Sequence, residues 1–367
     1  MIVLYIVIAI LVLLLMVLIH EFGHYVVGRA LGFKITEFSI GFGKALVSKT
    51  NKRGEKISLR LFPLGGYCAF FGEDTDGVDT NPESFVNQKP WKRILVYIAG
   101  ASFNILSAVI FSFILLLCTG YGNIYTVTGF NRNFEHNVTL ESGEVYELAE
   151  NDVILQVNGK DVDYIWGNTI ENALQGKEVG DTIAFRIRKA EDGSIIEGSM
   201  LIQKGQQTDN DGNLIFSKDG EPVMLTGLGL SLSMGGEKLS FVGALAKCVP
   251  LTAGLAWMVL KAFWQLITFQ VAFSQLGGPV TTIAVFATTM SQSFASILVI
   301  LPLIAVNLGV FNLLPFPALD GAHVVFTSIE WIRKKPINRN VESWIHFVGL
   351  MVLLAFIVIV DIVHFFV

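Results

Sequence analysis

Charge is scarce in this 367-residue chain: 16% of its residues are Asp, Glu, Lys or Arg, where a soluble globular protein carries roughly 25%. That shortfall, with a hydrophobic content of 52% and a mean hydropathy of +0.58, excludes an ordinary soluble enzyme. Cysteine is scarce too. Cys68, Cys118 and Cys248 are odd in number, far apart and form no Cys-x-x-Cys pair, which excludes a disulfide framework and a cysteine zinc site and leaves them as packing residues. No basic run or basic-aromatic stripe points to nucleic acid. Heptads and low-complexity tracts are absent, so coiled coil, collagen and disorder are excluded. What the chain has in excess is apolar blocks of membrane length and 35 glycines, a residue that lets membrane helices approach closely.

Residues Ile2 to Ile19 are eighteen consecutive apolar side chains, enough to cross a bilayer core of about 30 Å at roughly 1.5 Å per residue. No basic leader or small-residue cleavage site accompanies them, so this segment is expected to be retained as a span rather than removed as a signal peptide. A second uncharged segment runs from Ile94 to Thr119, directly after Lys89, Lys92 and Arg93. From Ala262 to Leu319 there is no charged residue, with the best spanning stretch at about Phe294 to Leu314; the last candidate is Trp344 to Val367, interrupted by Asp361.

Charge then sets the orientation. Residues 29 to 93 hold eleven Lys and Arg against seven Asp and Glu, whereas residues 121 to 240 hold nine against nineteen. The first region is expected to be cytoplasmic and the long acidic region outside; Arg333, Lys334, Lys335 and Arg339 place the loop from Ala322 to Ser343 inside again. Four spans with both termini outside satisfy this pattern. The stretch Leu239 to Gln275 is apolar enough for a fifth span, but parity, Pro250, Lys247 and Lys261 favour helices lying at the interface with their amines snorkelling to water.

One motif carries chemistry. His20-Glu21-Phe22-Gly23-His24 fits His-Glu-x-x-His, which on a helix puts two imidazoles one turn apart on one face with a carboxylate beside them, the arrangement for two zinc ligands and a general base. The bland alternative, two interfacial histidines with a solvated Glu21, conflicts with the cost of ionisable groups at membrane depth. Catalytic zinc needs a third protein ligand and an open position. The strongest candidate is Asp320, closing Asn312-Leu-Leu-Pro315-Phe-Pro317-Ala-Leu319-Asp320-Gly321 at the cytoplasmic end of a span, level with His20 and His24. An Asp-Gly pair is commonly just a turn. Here the two prolines break an apolar run, and broken backbone at membrane depth is tolerated only where it is buried in protein or lines a wet cavity.

Together these motifs make the chain resemble the bacterial site-2 proteases, the intramembrane zinc metalloproteases of regulated intramembrane proteolysis, and within them the sigma-E-regulating group with a PDZ domain between the second and third spans. The resemblance covers nearly the whole chain. It implies Zn2+ as cofactor, His20, His24 and Asp320 as ligands, and Glu21 as the base. Phe38-Ser-Ile-Gly41-Phe-Gly43 and Arg60-Leu-Phe-Pro63-Leu-Gly65-Gly66-Tyr67 resemble the arms of the family's membrane-re-entrant β-hairpin, which meets substrate as an extended strand. Alternation around Lys56 to Leu61 and a turn at Arg53-Gly54 agree with a hairpin having an open edge, although its apolar residues also suit simple packing in the cytoplasm. Gly100-Ala-Ser-Phe-Asn104 stands where the family has Gly-Pro-x-x-Asn, with Ala101 replacing the proline of an expected kink, and Gln275-Leu-Gly277-Gly278-Pro279 matches a Gly-Pro segment before the third span.

Asn151 to Val162, with a tight turn at Asn158-Gly159, and Thr182 to Arg188 resemble PDZ strands, while Asn151 replaces the usual glycine and Glu144 to Glu150 the usual small-residue run. Such a domain would contact peptide by strand addition or act as a size filter. Gly205 to Asp219 reads as an exposed loop or long hairpin tip. The expected fold is therefore a polytopic α-helical membrane protein with about four spans, a cytoplasmic-side re-entrant β-hairpin and an extracytoplasmic PDZ-like α+β domain. Its expected parts are a first span 1–30, hairpin and cytoplasmic loop 31–93, second span 94–120, outer domain 121–235, interfacial amphipathic helices 236–292, third span 293–321, cytoplasmic loop 322–343 and fourth span 344–367.

The implied activity is zinc-dependent hydrolysis of a peptide bond in a membrane-spanning segment of a single-span protein, such as an anti-sigma factor or a signal-peptide remnant, in a bacterial cell membrane. A helical substrate must unwind to be cut, so Gly41, Gly43, Gly65, Gly66, Asn312, Pro315 and Pro317 are the expected substrate contacts, and substrates with helix-weakening residues should be preferred. Two other classes compete. A transporter also uses broken helices with intramembrane histidines and carboxylates, but no internal repeat is present. A metal-binding scaffold whose outer domain captures envelope peptides would need a structural zinc with four protein ligands, and three good ones are found.

Overall fold

The computed structural model describes residues 2–73, 81–163, 168–207, 214–217, 221–236, 238–268, 270, 279–292 and 296–366. It divides into two compact units, one formed by Met1–Ser112 with Cys248–Val367 and the other by Phe113–Lys247.

The first unit is built on helices. The uninterrupted apolar run at the start forms α1 (Ile2–Ala30), and Pro90, whose fixed φ suits a first helical position, opens α2 (Pro90–Thr119). These helices approach closely where Gly23 faces Ala99: a Cβ on Gly23 would stand 2.6 Å from the Ala99 carbonyl oxygen. No proline interrupts α2 after its first residue, and the helix runs continuously through Gly100 to Asn104. Among the described residues, four helical stretches, Leu4–Ala30, Pro90–Thr119, Phe241–Ile267 and Arg339–Ile362, are long and apolar enough to cross a membrane.

Three boundaries differ from expectation. The region 236–292, expected as interfacial helices, is in its described part a 27-residue α4 (Phe241–Ile267) containing Pro250, followed by α5 (Pro279–Gln292). Lys247 and Lys261 lie about 21 Å apart along that helix, so their amines can reach opposite sides of an apolar stretch that is itself long enough to cross a membrane. The third apolar helix, α6 (Ser296–Leu313), stops short of the Asp320 motif. The expected cytoplasmic loop 322–343 is mostly helix: α7 (Asp320–Arg333) begins at the aspartate, and α8 (Arg339–Phe366) starts five residues earlier than the expected span. Residues Gln275 to Gly278 of the Gly-Pro segment lie outside the described residues.

The hairpin is present as β1 (Ile35–Thr50) and β2 (Lys56–Phe70), joined at Asn51 to Glu55. Both strands bend. Residues Glu37 to Ile40 pair on one side with Gly66 to Ala69 and on the other with Lys56 to Leu59, which also pair with Val47 to Thr50. Gly41 and Gly43, at φ +86° and +83°, supply the left-handed backbone for the bend in β1. Glu37 ties the rows together. Burial would raise its carboxyl, but hydrogen bonds from Ser58, Arg60 and Tyr67 outweigh that and hold its pKa at about 2.

The second unit is a sheet in the order β12-β3-β6-β8-β9-β4-β5, with β7 beside β6. Its strands are β3 (Tyr121–Phe130), β4 (Asn137–Leu140), β5 (Val145–Glu147), β6 (Val153–Val157), β7 (Lys160–Asp161), β8 (Thr182–Arg188), β9 (Ile195–Leu201) and β12 (Leu230–Gly236). Alternating inward residues, among them Val127, Val138, Ile154, Ile183 and Ile187, are fully buried and form its core together with neighbours such as Phe185 and Met200. A short α3 (Ile170–Leu174) is capped by Thr169, whose hydroxyl accepts from Asn172 N–H. The turn expected at Asn158-Gly159 has both residues at positive φ, as a two-residue hairpin turn requires. The region 205–219 begins within β10 (Gln203–Gln206), which pairs with β11 (Met224–Gly227), so its described part belongs to a long hairpin. Among the cysteines, all free, Cys248 is buried, Cys68 half-buried and Cys118 exposed, so the packing role expected of all three fails for Cys118.

The basic residues used to orient the chain have a second role. Buried Arg93 donates to Glu330 Oε2 at 2.8 Å, Arg339 reaches Glu330 Oε1 at 3.2 Å and Glu342 at 2.7 Å, and Ile337 N–H donates to Glu330 at 2.9 Å. One carboxylate therefore joins α2, α7 and α8. Removing one member of a buried charge network leaves the rest uncompensated, so Glu330→Ala should lower stability by about 3–5 kcal/mol, read as a drop in the thermal unfolding midpoint in detergent; an unchanged midpoint would show the network to be dispensable.

Candidate metal centre

The pitch of α1 puts His20 and His24 on one face, with ring centroids 4.8 Å apart and both side chains buried. Asp320 reaches them from the first turn of α7. Its Oδ2 lies 3.0 Å from His20 Nε2 and 3.3 Å from His24 Nε2, and the two Nε2 atoms are 3.1 Å apart. Three donor atoms from residues 300 positions apart in sequence thus form one nearly equilateral triangle.

The far sides of the rings define what those atoms can do. His24 Nδ1 stands 2.8 Å from the Val96 carbonyl oxygen, which can only accept, so Nδ1 carries the proton and Nε2 presents a lone pair. His20 Nδ1 faces the Asn104 amide at 3.3 Å, and Asn104 Oδ1, fully buried, has no partner among the described residues. Turning that amide, whose O and N are interchangeable in shape, gives Nδ1–H of His20 an acceptor and frees its Nε2 in the same way. Two lone pairs and a carboxylate oxygen then face one point, an arrangement that repels itself without a cation. Asp320 Oδ2 receives no N–H or O–H from any described residue.

The donor set and spacing fit zinc. Bonds of about 2.0–2.2 Å in a tetrahedron place ligand atoms about 3.4 Å apart, close to the observed edges. Room for the rings comes from Gly100, where a Cβ would collide with His24 Nε2 and stand 2.7 Å from both Cε1 and Nε2 of His20. Gly321, next to Asp320, is equally constrained: a Cβ there would strike the carbonyls of Leu313 and Leu314, so this glycine serves close packing against the end of α6 rather than a turn.

The other expected site residues divide. Glu21 is half-buried beside the triangle, and Gly66 of β2 comes against it: a Cβ on Gly66 would stand 3.3 Å from Glu21 Cγ. Gly65 lies under the Phe42 ring, and Gly41 and Gly43 shape the bend. Pro315 and Pro317 sit in the break between α6 and α7. Asn312, half-buried near the end of α6, donates from Nδ2 to Leu308 O at 2.9 Å within its own helix. Sequence reasoning assigned no role to Val96 or Gly100 and considered Asn104 only within a kink. Their spacing of four and four residues, one face of a helix, was the available signal.

Comparison with known proteins places the chain in a family. The model of peptidase family M50 matches residues 8–356. A candidate zinc metalloprotease of Agrobacterium fabrum is 28% identical, covering 96% of this chain and 93% of its own length. Similarly named proteins of Rickettsia conorii and Nostoc are 28% and 29% identical and cover 94% and 95% of the chain, with 94% and 92% of their own lengths aligned. With a family match over nearly its full length, the chain belongs to peptidase family M50, the site-2 proteases, and is a membrane zinc metalloprotease.

Proposed function

We propose that His20, His24 and Asp320 hold the zinc, that Glu21 is the general base, and that the chain cleaves peptide bonds within membrane-spanning segments of single-span proteins, such as anti-sigma factors or signal-peptide remnants, in regulated intramembrane proteolysis. The observation that carries this reading is the buried triangle of three donor atoms with edges of 3.0, 3.1 and 3.3 Å, two of them on a helix apolar enough to cross a membrane. The active site would open toward the cytoplasmic side of a bacterial cell membrane, where the basic residues 29 to 93 lie, with the acidic sheet domain outside. That domain would serve as PDZ-like peptide contact or size filter.

When bound, zinc supplies a Lewis acid that polarises a carbonyl and makes water a nucleophile near neutral pH. Glu21, beside the triangle, takes a proton from water and passes it to the leaving amine. The Val96 carbonyl keeps His24 in the tautomer whose Nε2 lone pair faces Asp320, and the Asn104 amide, turned to present its oxygen, accepts from His20 in the same tautomer. A substrate strand, freed from its helix, would add along β2, where Gly66 brings the strand close to Glu21. Helix-weakening residues near the cut lower the cost of that unwinding.

Two outcomes follow. Glu21→Gln should keep its zinc and lose cleavage of a single-span test substrate by about 10²–10⁴-fold; cleavage at the original rate would remove Glu21 from the mechanism. Gly100→Ala, a change that favours the helix itself, should weaken zinc retention against a chelator by about 10–100-fold, and full retention would show that the rings do not need the space Gly100 leaves.

A further inference from the structure

We propose that α8 is a positioning device for the metal centre: His346 and Gly349, three residues apart on one helix face, clamp the Pro317-Ala318 turn that delivers Asp320. The inference rests on Asp320 being a zinc ligand. The turn needs holding. It spans the six residues 314–319 between α6 and α7, two of them prolines without an N–H, and Ala318 adopts φ +79°, a left-handed conformation that a residue with a Cβ rarely takes. Such a conformation persists only where the surroundings over-determine it.

Two contacts from α8 do so. The Ala318 N–H donates to His346 Nδ1 at 3.1 Å, two residues before Asp320. One turn along α8, Gly349 admits Pro317: a Cβ on Gly349 would collide with the Pro317 Cβ and stand 3.0 Å from its carbonyl oxygen. The His346 ring is itself fixed. It stacks on His323 at 4.0 Å and 15°, His323 stacks on Tyr97 at 4.9 Å and 14°, and the Phe326 ring lies 5.5 Å from it, tilted by 50°. Rings from α2, α7 and α8 thereby orient a single acceptor atom toward Ala318.

A second metal site is the competing use of these side chains, since His323, Glu342 and His346 have ligand atoms within 4.8 Å of one another. Geometry argues against it. The two imidazoles lie face to face, so their in-plane lone pairs run alongside each other instead of converging, and His346 Nδ1 is already occupied by Ala318 N–H.

The test uses the full chain in detergent with His346→Phe, which keeps a stacked ring and removes the acceptor, and His346→Asn, whose Oδ1 restores an acceptor near the Nδ1 position. Amide hydrogen exchange is read at Ala318, in a segment where Pro315 and Pro317 contribute no amide signal. Zinc retention against a chelator, and kcat and KM on a single-span substrate, are read on the same samples. The Phe variant should exchange Ala318 about fivefold faster and hold zinc about 10–100-fold less tightly, with kcat falling more than KM changes; the Asn variant should recover both. Unaltered exchange in the Phe variant, or an Asn variant no better than Phe, overturns the clamp. If the unsubstituted chain binds no zinc, the ligand assignment falls, while exchange at Ala318 still decides the clamp.

Discussion

Three lone-pair atoms held about 3 Å apart in a buried site set the terms for this protein. His20 Nε2, His24 Nε2 and Asp320 Oδ2 repel one another unless a cation lies among them, and burial removes the water that would screen them. Two of the atoms come from one helix, where pitch fixes their spacing at no added cost. The third comes from a turn three hundred residues on, and the surrounding helices hold that turn in place.

Close backbone approach is the means. Gly23 and Gly100 bring α2 against α1, so that Val96 and Asn104 can reach the far nitrogens of both imidazoles. Gly321 seats the start of α7 against the end of α6, and Gly349 admits Pro317 to α8. In each case the absence of a side chain positions a polar group, which accounts for a share of the chain's many glycines more directly than flexibility does. Below this layer, Glu330 binds Arg93 and Arg339 and fixes the bases of α2, α7 and α8 together.

Much of the centre was legible in the sequence. The His-Glu-x-x-His spacing maps to one helix face without tertiary knowledge, and two prolines before Asp320 signalled a broken helix at a place where breakage needs a reason. The hairpin was legible in outline from Lys56 to Leu61 and Arg53-Gly54, but its bends at Gly41 and Gly43, and the pairing of one strand segment on both sides, depend on contacts that alternation cannot encode. The bond from Asn312 to Leu308 was not legible, because whether a side-chain amide on a helix uses the acceptor four residues back depends on what surrounds it. The loop expected at 322–343 was hidden by its basic residues: Arg333 and Lys334 end one helix and Arg339 opens the next, so a charge cluster marked a helix junction. Likewise α4 carries lysines that suit either an interface or the two ends of a crossing helix.

The chemistry of the centre depends on which atoms surround the zinc. X-ray absorption at the zinc edge of the purified chain in detergent addresses that directly. One zinc per chain, with a first shell of two imidazole nitrogens and oxygen and with no sulfur, is the expected spectrum. A sulfur-containing shell, an all-oxygen shell or a chain that retains no zinc would contradict it.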